Sequence, residues 1–153
     1  DRWLRDELGR LEGEYQSHVR LAARFDEGLA QRIYAGADMF LMPSRYEPCG
    51  LGQLIAMRYG TIPIGRRTGG LADTILDPQE HPETGTGFLF DEFSTVGFVA
   101  AFERALMAFR DPETWERLQH NAMSRDYSWR ASANHYVDAY VAALRARGIV
   151  PLE

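Results

Sequence analysis

Residues 37–75, ADMFLMPSRYEPCGLGQLIAMRYGTIPIGRRTGGLADTI, constrain the fold more than any other part of this chain. Two short apolar runs, Met39 to Met42 and Thr61 to Gly65, each feed into a loop rich in Gly, Pro, Arg and Glu. A helix-like segment, Gly50 to Tyr59, joins them. The pattern is strand, polar loop, helix, strand, polar loop: one βαβ unit with two decorated loops. Strands joined by such a crossover run parallel, and the crossover is nearly always right-handed. Both loops must therefore leave the C-terminal edge of the sheet, where ligands bind in open α/β folds. Pro43 to Gly50 and Arg66 to Gly70 are expected to line one crevice.

The second loop holds Arg66, Arg67, Thr68 and the pair Gly69-Gly70, ahead of Leu71-Ala72-Asp73. Adjacent glycines let the backbone approach a ligand with its N–H groups exposed. A helix beginning near Leu71 would add its positive end and favour an anion. The plainer reading is a glycine turn with two solvated arginines, since Gly-Gly marks turns in many folds. The first loop brings one carboxylate, Glu47, between Tyr46 and Pro48. A carboxylate at a strand end accepts hydrogen bonds from sugar hydroxyls and stabilises positive charge developing on a sugar ring. Its plainer reading is a surface glutamate. Facing one crevice, an anion cradle and a hydroxyl-reading carboxylate suit a nucleotide-sugar.

The runs PSRYEPCGLGQL and RRTGGLADTI closely resemble the C-terminal domain of bacterial glycogen synthases and plant starch synthases. Weaker resemblance extends from about Val19 through Gly87-Phe88-Leu89-Phe90 to Tyr127-Ser128-Trp129. Those proteins are retaining GT-B glycosyltransferases with two Rossmann-like domains. The resemblance implies an α/β fold with an open, parallel, Rossmann-like sheet and C-terminal helices. It makes residues 1–153 a partial GT-B C-terminal domain that binds a nucleotide-sugar. It also implies roles. The glutamate matching Glu47 contacts the donor glucose and is needed for transfer. The backbone matching Cys49, Gly50 and Leu51 lies beside the glucose hydroxyls, and that matching Thr68, Gly69 and Gly70 lies near the donor phosphates. The aromatic position matching Phe25 packs on the adenine of ADP-glucose; Phe in place of the usual Tyr keeps the ring face. By itself, a Phe there reads as core.

One position separates branches of the family. Many two-domain relatives carry a second Glu eight residues after the first, where it holds the ribose; here that residue is Ile55. Glycogen and starch synthases lack that Glu too, which favours this branch over the sucrose and trehalose types. The family also binds donor phosphates through an Arg and a Lys of an earlier loop. All 17 basic residues here are Arg, so that loop and the N-terminal domain, with its acceptor site, are expected to lie outside the sequence. Leu152-Glu153 is either native or an expression scar and is set aside.

At 153 residues the chain is long enough for one domain with a core. Its net charge of −5 argues against a nucleic-acid partner. The single cysteine, Cys49, fits a reducing compartment and reads as a small residue in a tight loop rather than a nucleophile. His18, His81, His120 and His135 show no metal-ligand spacing and read as surface or edge residues. No stretch approaches a membrane span and no signal peptide is visible. Exclusive use of Arg, with abundant Ala, hints at a GC-rich bacterial genome, and the expected location is the bacterial cytoplasm.

Around the central unit, Trp3, Leu4, Leu8, Leu11 and Tyr15 recur at helical spacing. Val19 to Ala23 reads as a short strand, and Asp26 as the cap of a helix running to about Ala35 with Leu29 and Ile33 on one face. Residues 77–86 read as a mobile loop, and Phe88 to Phe90 as a last strand. Ser94 caps a helix carrying Val99, Phe102, Leu106 and Phe109. Asp111-Pro112 starts another. Ser128 caps the last, with Ala133, Val137, Tyr140 and Leu144 along one face, and Gly148 ends it. In the resembling family the final helix braces the N-terminal domain. The stripe Trp129, Tyr136, Tyr140 reads as core, with an exposed patch able to pair with another copy as the alternative.

The leading expectation is the donor-binding part of an ADP-glucose-dependent synthase adding glucose in α-1,4 linkage to a glucan, with retention, no cofactor and no metal. The alternatives are a GT-B transferase using UDP or GDP sugars, or a non-catalytic module that binds a nucleotide or a partner domain.

Overall fold

The computed structural model describes residues 2–149; Leu152 and Glu153 lie outside them. The chain divides into two compact units, one ending at Ile33 and the other beginning at Tyr34.

The first unit holds α1 (Arg2–Glu14) and most of α2 (Glu27–Gly36). Arg10 sits between Glu7 and Glu14 on the α1 surface, at 2.6 and 2.9 Å. α2 begins where Asp26 accepts the Leu29 N–H at 2.9 Å, as the capping pattern predicts. Ile33 stays half exposed. Val19 to Ala23 does not form the expected strand. A strand needs a ladder partner, and here side chains take the backbone groups instead. Glu12 accepts from the Leu21 N–H at 3.0 Å, and Arg20 donates to the Val19 carbonyl at 2.9 Å.

The second unit is α/β. Its order from the start of the sheet is β1 (Met39–Met42), α3 (Gly52–Arg58), β2 (Ile62–Arg66), α4 (Gly69–Thr74), β3 (Phe88–Phe90), α5 (Thr95–Phe109), α6 (Pro112–Ser124) and α7 (Trp129–Ala146). The three strands run parallel in the order β1-β2-β3. Met39 pairs with Ile62 and Met42 with Gly65; Ile64 pairs with Phe88 and Arg66 with Phe90. The central strand is buried except at Arg66, as expected of a parallel strand covered on both faces. Alternation divides the core. Ile62, Ile64, Phe88 and Phe90 pack with Met57, Ala101, Ala105, Trp115 and Leu118 on one face. Leu89 packs with Leu71 and Ile75 on the other.

The predicted caps hold. Ser94 accepts from Gly97 N–H at 3.0 Å, Ser128 from Ala131 N–H at 3.3 Å, and Pro112 opens α6 behind Asp111. α7 closes in a Schellman motif: Ile149 N–H reaches the Leu144 carbonyl at 2.9 Å and Gly148 N–H the Arg145 carbonyl at 3.0 Å. Two apolar faces differ from the expectation. On α5 the buried line is Ala101 and Ala105 with Phe98 and Phe102 beside it, while Val99 and Phe109 are exposed. The small alanines let the helix approach the sheet closely, which a search for large side chains overlooks. On α7 nothing is buried: Trp129 is 84 % and Tyr140 67 % exposed. The core reading of Trp129, Tyr136 and Tyr140 is therefore corrected to an exposed stripe. Helical spacing identifies an apolar face but does not say what covers it.

The loop 77–86 is anchored. Asp77, 2 % exposed, accepts from Leu89 N–H at 2.7 Å and pairs with Arg104 at 2.8 Å. Arg104 also donates to the Leu89 carbonyl at 2.6 Å and lies over the Phe88 ring. Asn121 donates to the Glu83 carbonyl at 2.8 Å. Arg104→Met keeps much of the packing but leaves the buried carboxylate without its cation. The expected loss is about 2 kcal/mol, within the range for a buried charged partner left unmatched. Denaturant titration checks it, and an unchanged midpoint would show the pair contributes nothing.

Candidate active site

β1 and β2 end side by side, so the two loops leave the same edge of the sheet. Their contact is backbone on backbone. Gly70 N–H donates to the Glu47 carbonyl at 3.0 Å and to the Pro48 carbonyl at 3.2 Å. Gly69 has φ +44°, in the left-handed region open to glycine. A Cβ there would lie 3.0 Å from the Glu47 carbonyl carbon, with the carbonyl oxygen closer still. A Cβ on Gly70 would fall 2.6 Å from Cys49 Cα. The glycine pair thus serves first to let the second loop lie against Glu47-Pro48-Cys49. The structure brings Glu47, Cys49, Gly50, Thr68, Gly69 and Gly70 together, as the βαβ reading required. Leu51 follows as the residue before α3, with its side chain exposed. Phe25 belongs to the other unit; its ring is 96 % exposed, which excludes a core role.

Glu47 is half-buried, and its carboxylate has no hydrogen-bond partner among the described residues. Cys49 is an exposed free thiol. α4 begins at Gly69, two residues earlier than expected, behind Thr68 in extended conformation. It has six residues, too few for the aligned dipoles invoked from the sequence to sum to much.

The arginines do something other than wait for an anion. Arg66 donates from Nε to the Ser44 carbonyl at 3.0 Å and from Nη2 to the Arg45 carbonyl, bracing the first loop. Arg67 pairs with Glu80 at 2.6 Å and Asp91 at 2.9 Å. Burial works against the Arg67 charge, but the bonds and field of Glu80 and Asp91 outweigh it and hold its pKa above the ordinary value. Arg45 and Arg66 also stack over Phe93 at 5.2 and 5.6 Å. Beside Phe93 lies a cavity of about 360 Å³ lined by Pro43, Phe90, Phe93, Ser94, Thr95 and Phe98. It opens at the same sheet edge, since Pro43 follows β1 and Phe90 ends β3.

Gln53, within the GLGQL run, has a task that the sequence does not announce. It is fully buried, and the two hydrogens of its Nε2 are shared among three acceptors, the Cys49 and Gly50 carbonyls at 3.0 Å each and Thr74 Oγ1 at 3.2 Å. The only sequence signal for it was an amide three residues after Gly50, where a helix turn brings it back to the loop.

Among the described residues no cluster of His, Cys, Asp and Glu suits a metal, and no helix is long and apolar enough to cross a membrane. All four histidines are exposed.

Comparison with known proteins follows the same lines. Residues 1–108 match the family model described as Glycosyl transferases group 1. A glycogen synthase of Syntrophotalea carbinolica is 49 % identical over 140 residues, which is 92 % of this chain and 29 % of that protein. Glycogen synthase 2 of Geobacter sulfurreducens is 46 % identical, over 93 % of this chain and 29 % of its own length. The catalytic domain of starch synthase IV from Arabidopsis thaliana, solved with ADP and acarbose, superposes with a TM-score of 0.83. It is 41 % identical and covers 95 % of this chain and 31 % of its own. The chain therefore spans less than a third of the length of these relatives.

Proposed function

Because this chain belongs to the glycosyl transferases of group 1, we propose that it forms the donor-binding part of a retaining GT-B synthase. That enzyme moves glucose from ADP-glucose to the non-reducing end of an α-1,4-glucan. The observation that carries the reading is the backbone contact of Gly69-Gly70 with Glu47-Pro48-Cys49 at the C-terminal edge of a parallel sheet. It sets Glu47, whose carboxylate has no hydrogen-bond partner among the described residues, next to a glycine-rich turn, which suits a sugar joined to a diphosphate. Glu47 faces the glucose in this reading, Cys49 to Leu51 line its hydroxyls, and Thr68 to Gly70 meet the phosphates. The solved relative with ADP bound supports an adenine donor. The acceptor site and an N-terminal domain belong to protein outside this sequence. The reaction needs no cofactor or metal, and the compartment is the bacterial cytoplasm.

Glucose transfer to a glucan primer by a full-length protein carrying this chain tests the proposal, with ADP-, UDP- and GDP-glucose compared. Preference for UDP or GDP would move it to another branch, and no transfer from any would leave a binding module. The 153-residue chain alone is expected to transfer nothing and to bind ADP weakly. Arg66 and Arg67 are spent on internal partners, and the chain has no lysine. Each missing charged phosphate contact costs roughly 1.5–3 kcal/mol. Two such losses weaken binding by about two to four orders of magnitude. Calorimetry decides: micromolar or tighter binding of ADP would mean the residues present form the whole phosphate site.

A further inference from the structure

The two loops share more than their glycine contact, for a part-buried polar chain centred on Gln53 joins them. Thr74 Oγ1 donates to the Gly70 carbonyl at 2.5 Å and lies 3.2 Å from Gln53 Nε2, whose two hydrogens are shared among it and the Cys49 and Gly50 carbonyls. Every partner of Nε2 is an acceptor, because the Thr74 proton is already committed to Gly70. The amide must therefore present its NH2 here, and Gln53 Oε1 is left buried without a partner among the described residues. A half-satisfied amide in a fully buried position costs stability compared with an apolar residue of the same shape. It also explains Gly50. Its φ is +71°, and a Cβ there would stand 2.9 Å from Nε2 and closer to Oε1.

We propose that Gln53 and Thr74 are positioning residues that lock the Glu47 loop to the Gly69-Gly70 loop, fixing the carboxylate relative to the donor phosphates. The assignment rests on the donor-site reading above for its consequence in catalysis, but the lock itself does not.

Two isosteric variants and one rescue test it in the full-length protein. Gln53→Glu keeps the shape and replaces the NH2 with an oxygen facing two carbonyls. Thr74→Val removes the hydroxyl, and Thr74→Ser restores it. Hydrogen exchange read by mass spectrometry on peptides spanning 44–53 and 66–76 reports the lock. It is expected to speed up roughly three- to tenfold in both loops for Thr74→Val, the weight of one net hydrogen bond, and more for Gln53→Glu. Peptides of α5 stay protected, which separates loop release from unfolding. Thr74→Ser returns both loops to the parent rate.

With ADP-glucose, kcat falls on the order of a hundredfold or less for Gln53→Glu, the scale of a misplacement of about 1 Å, with KM changed far less. Unchanged exchange in either loop overturns the lock whatever the activity. Faster exchange with unchanged kcat, or a rise in KM alone, overturns the positioning role. A parent protein that exchanges as expected but transfers no glucose refutes the donor-site reading and leaves the lock standing.

Discussion

Glu47→Ala in a full-length protein carrying this chain is expected to lower the turnover of ADP-glucose by about a hundred- to a thousandfold, the usual effect of removing one preorganised electrostatic contact. ADP affinity should change by less than about fivefold, or roughly 1 kcal/mol. The separation follows from the geometry. The Glu47 carbonyl, not its carboxylate, holds Gly70 N–H, and alanine keeps that carbonyl. The glycine turn therefore stays in place while the side chain proposed to face the sugar is lost. A fall in kcat with KM and ADP binding preserved is the signature of an interaction made chiefly in the transition state. Steady-state kinetics with calorimetry on a folded variant checks both halves. Near-normal turnover would remove Glu47 from the catalytic role, and a parallel loss of ADP binding would move it to the nucleotide.

The edge of the sheet was legible because it depends on few rules. Parallel strands and a crossover helix force both loops to one side, and Met39–Met42 and Ile62–Arg66 obeyed that without help from any side-chain detail. The caps at Asp26, Ser94 and Ser128 were legible for a similar reason, since each satisfies a neighbouring N–H three residues on. What escaped was whatever depends on a partner distant in sequence. Arg66 and Arg67 look like anion ligands in a string of letters. Only the fold brings Ser44, Arg45, Glu80 and Asp91 to them. Val19 to Ala23 had the right composition for a strand and no ladder to join. The α7 stripe had the right period for a core and no described surface above it. Gln53 was one polar letter in a helix until burial and three acceptors gave it a task.

The glycine pair itself yields the steepest structural expectation. Gly70→Ala puts a methyl 2.6 Å from Cys49 Cα and closer to its carbonyl. The obstacle is backbone, so no rotamer change relieves it. Either the first loop is pushed away, or α4 shifts and Leu71, which is fully buried, leaves its place against Ile75 and Leu89. Overpacking of this kind costs typically about 1–3 kcal/mol and occasionally more, and a contact with no soft atom belongs at the upper end. For a chain of this size that is a fall of roughly 2–4 °C in melting temperature per kcal/mol. Function suffers more than stability, because moving the first loop carries Glu47 with it. A displacement of about 1 Å costs on the order of a hundredfold in rate. Gly9→Ala supplies the contrast. Gly9 sits inside α1 with nothing within 4 Å of its would-be Cβ, so alanine should stabilise that helix by about 0.5–1 kcal/mol. Thermal melts and glucose transfer on both variants decide the matter. A Gly70→Ala protein with parent stability and parent turnover would mean that the two loops do not touch as described, and the shared site would fall with them.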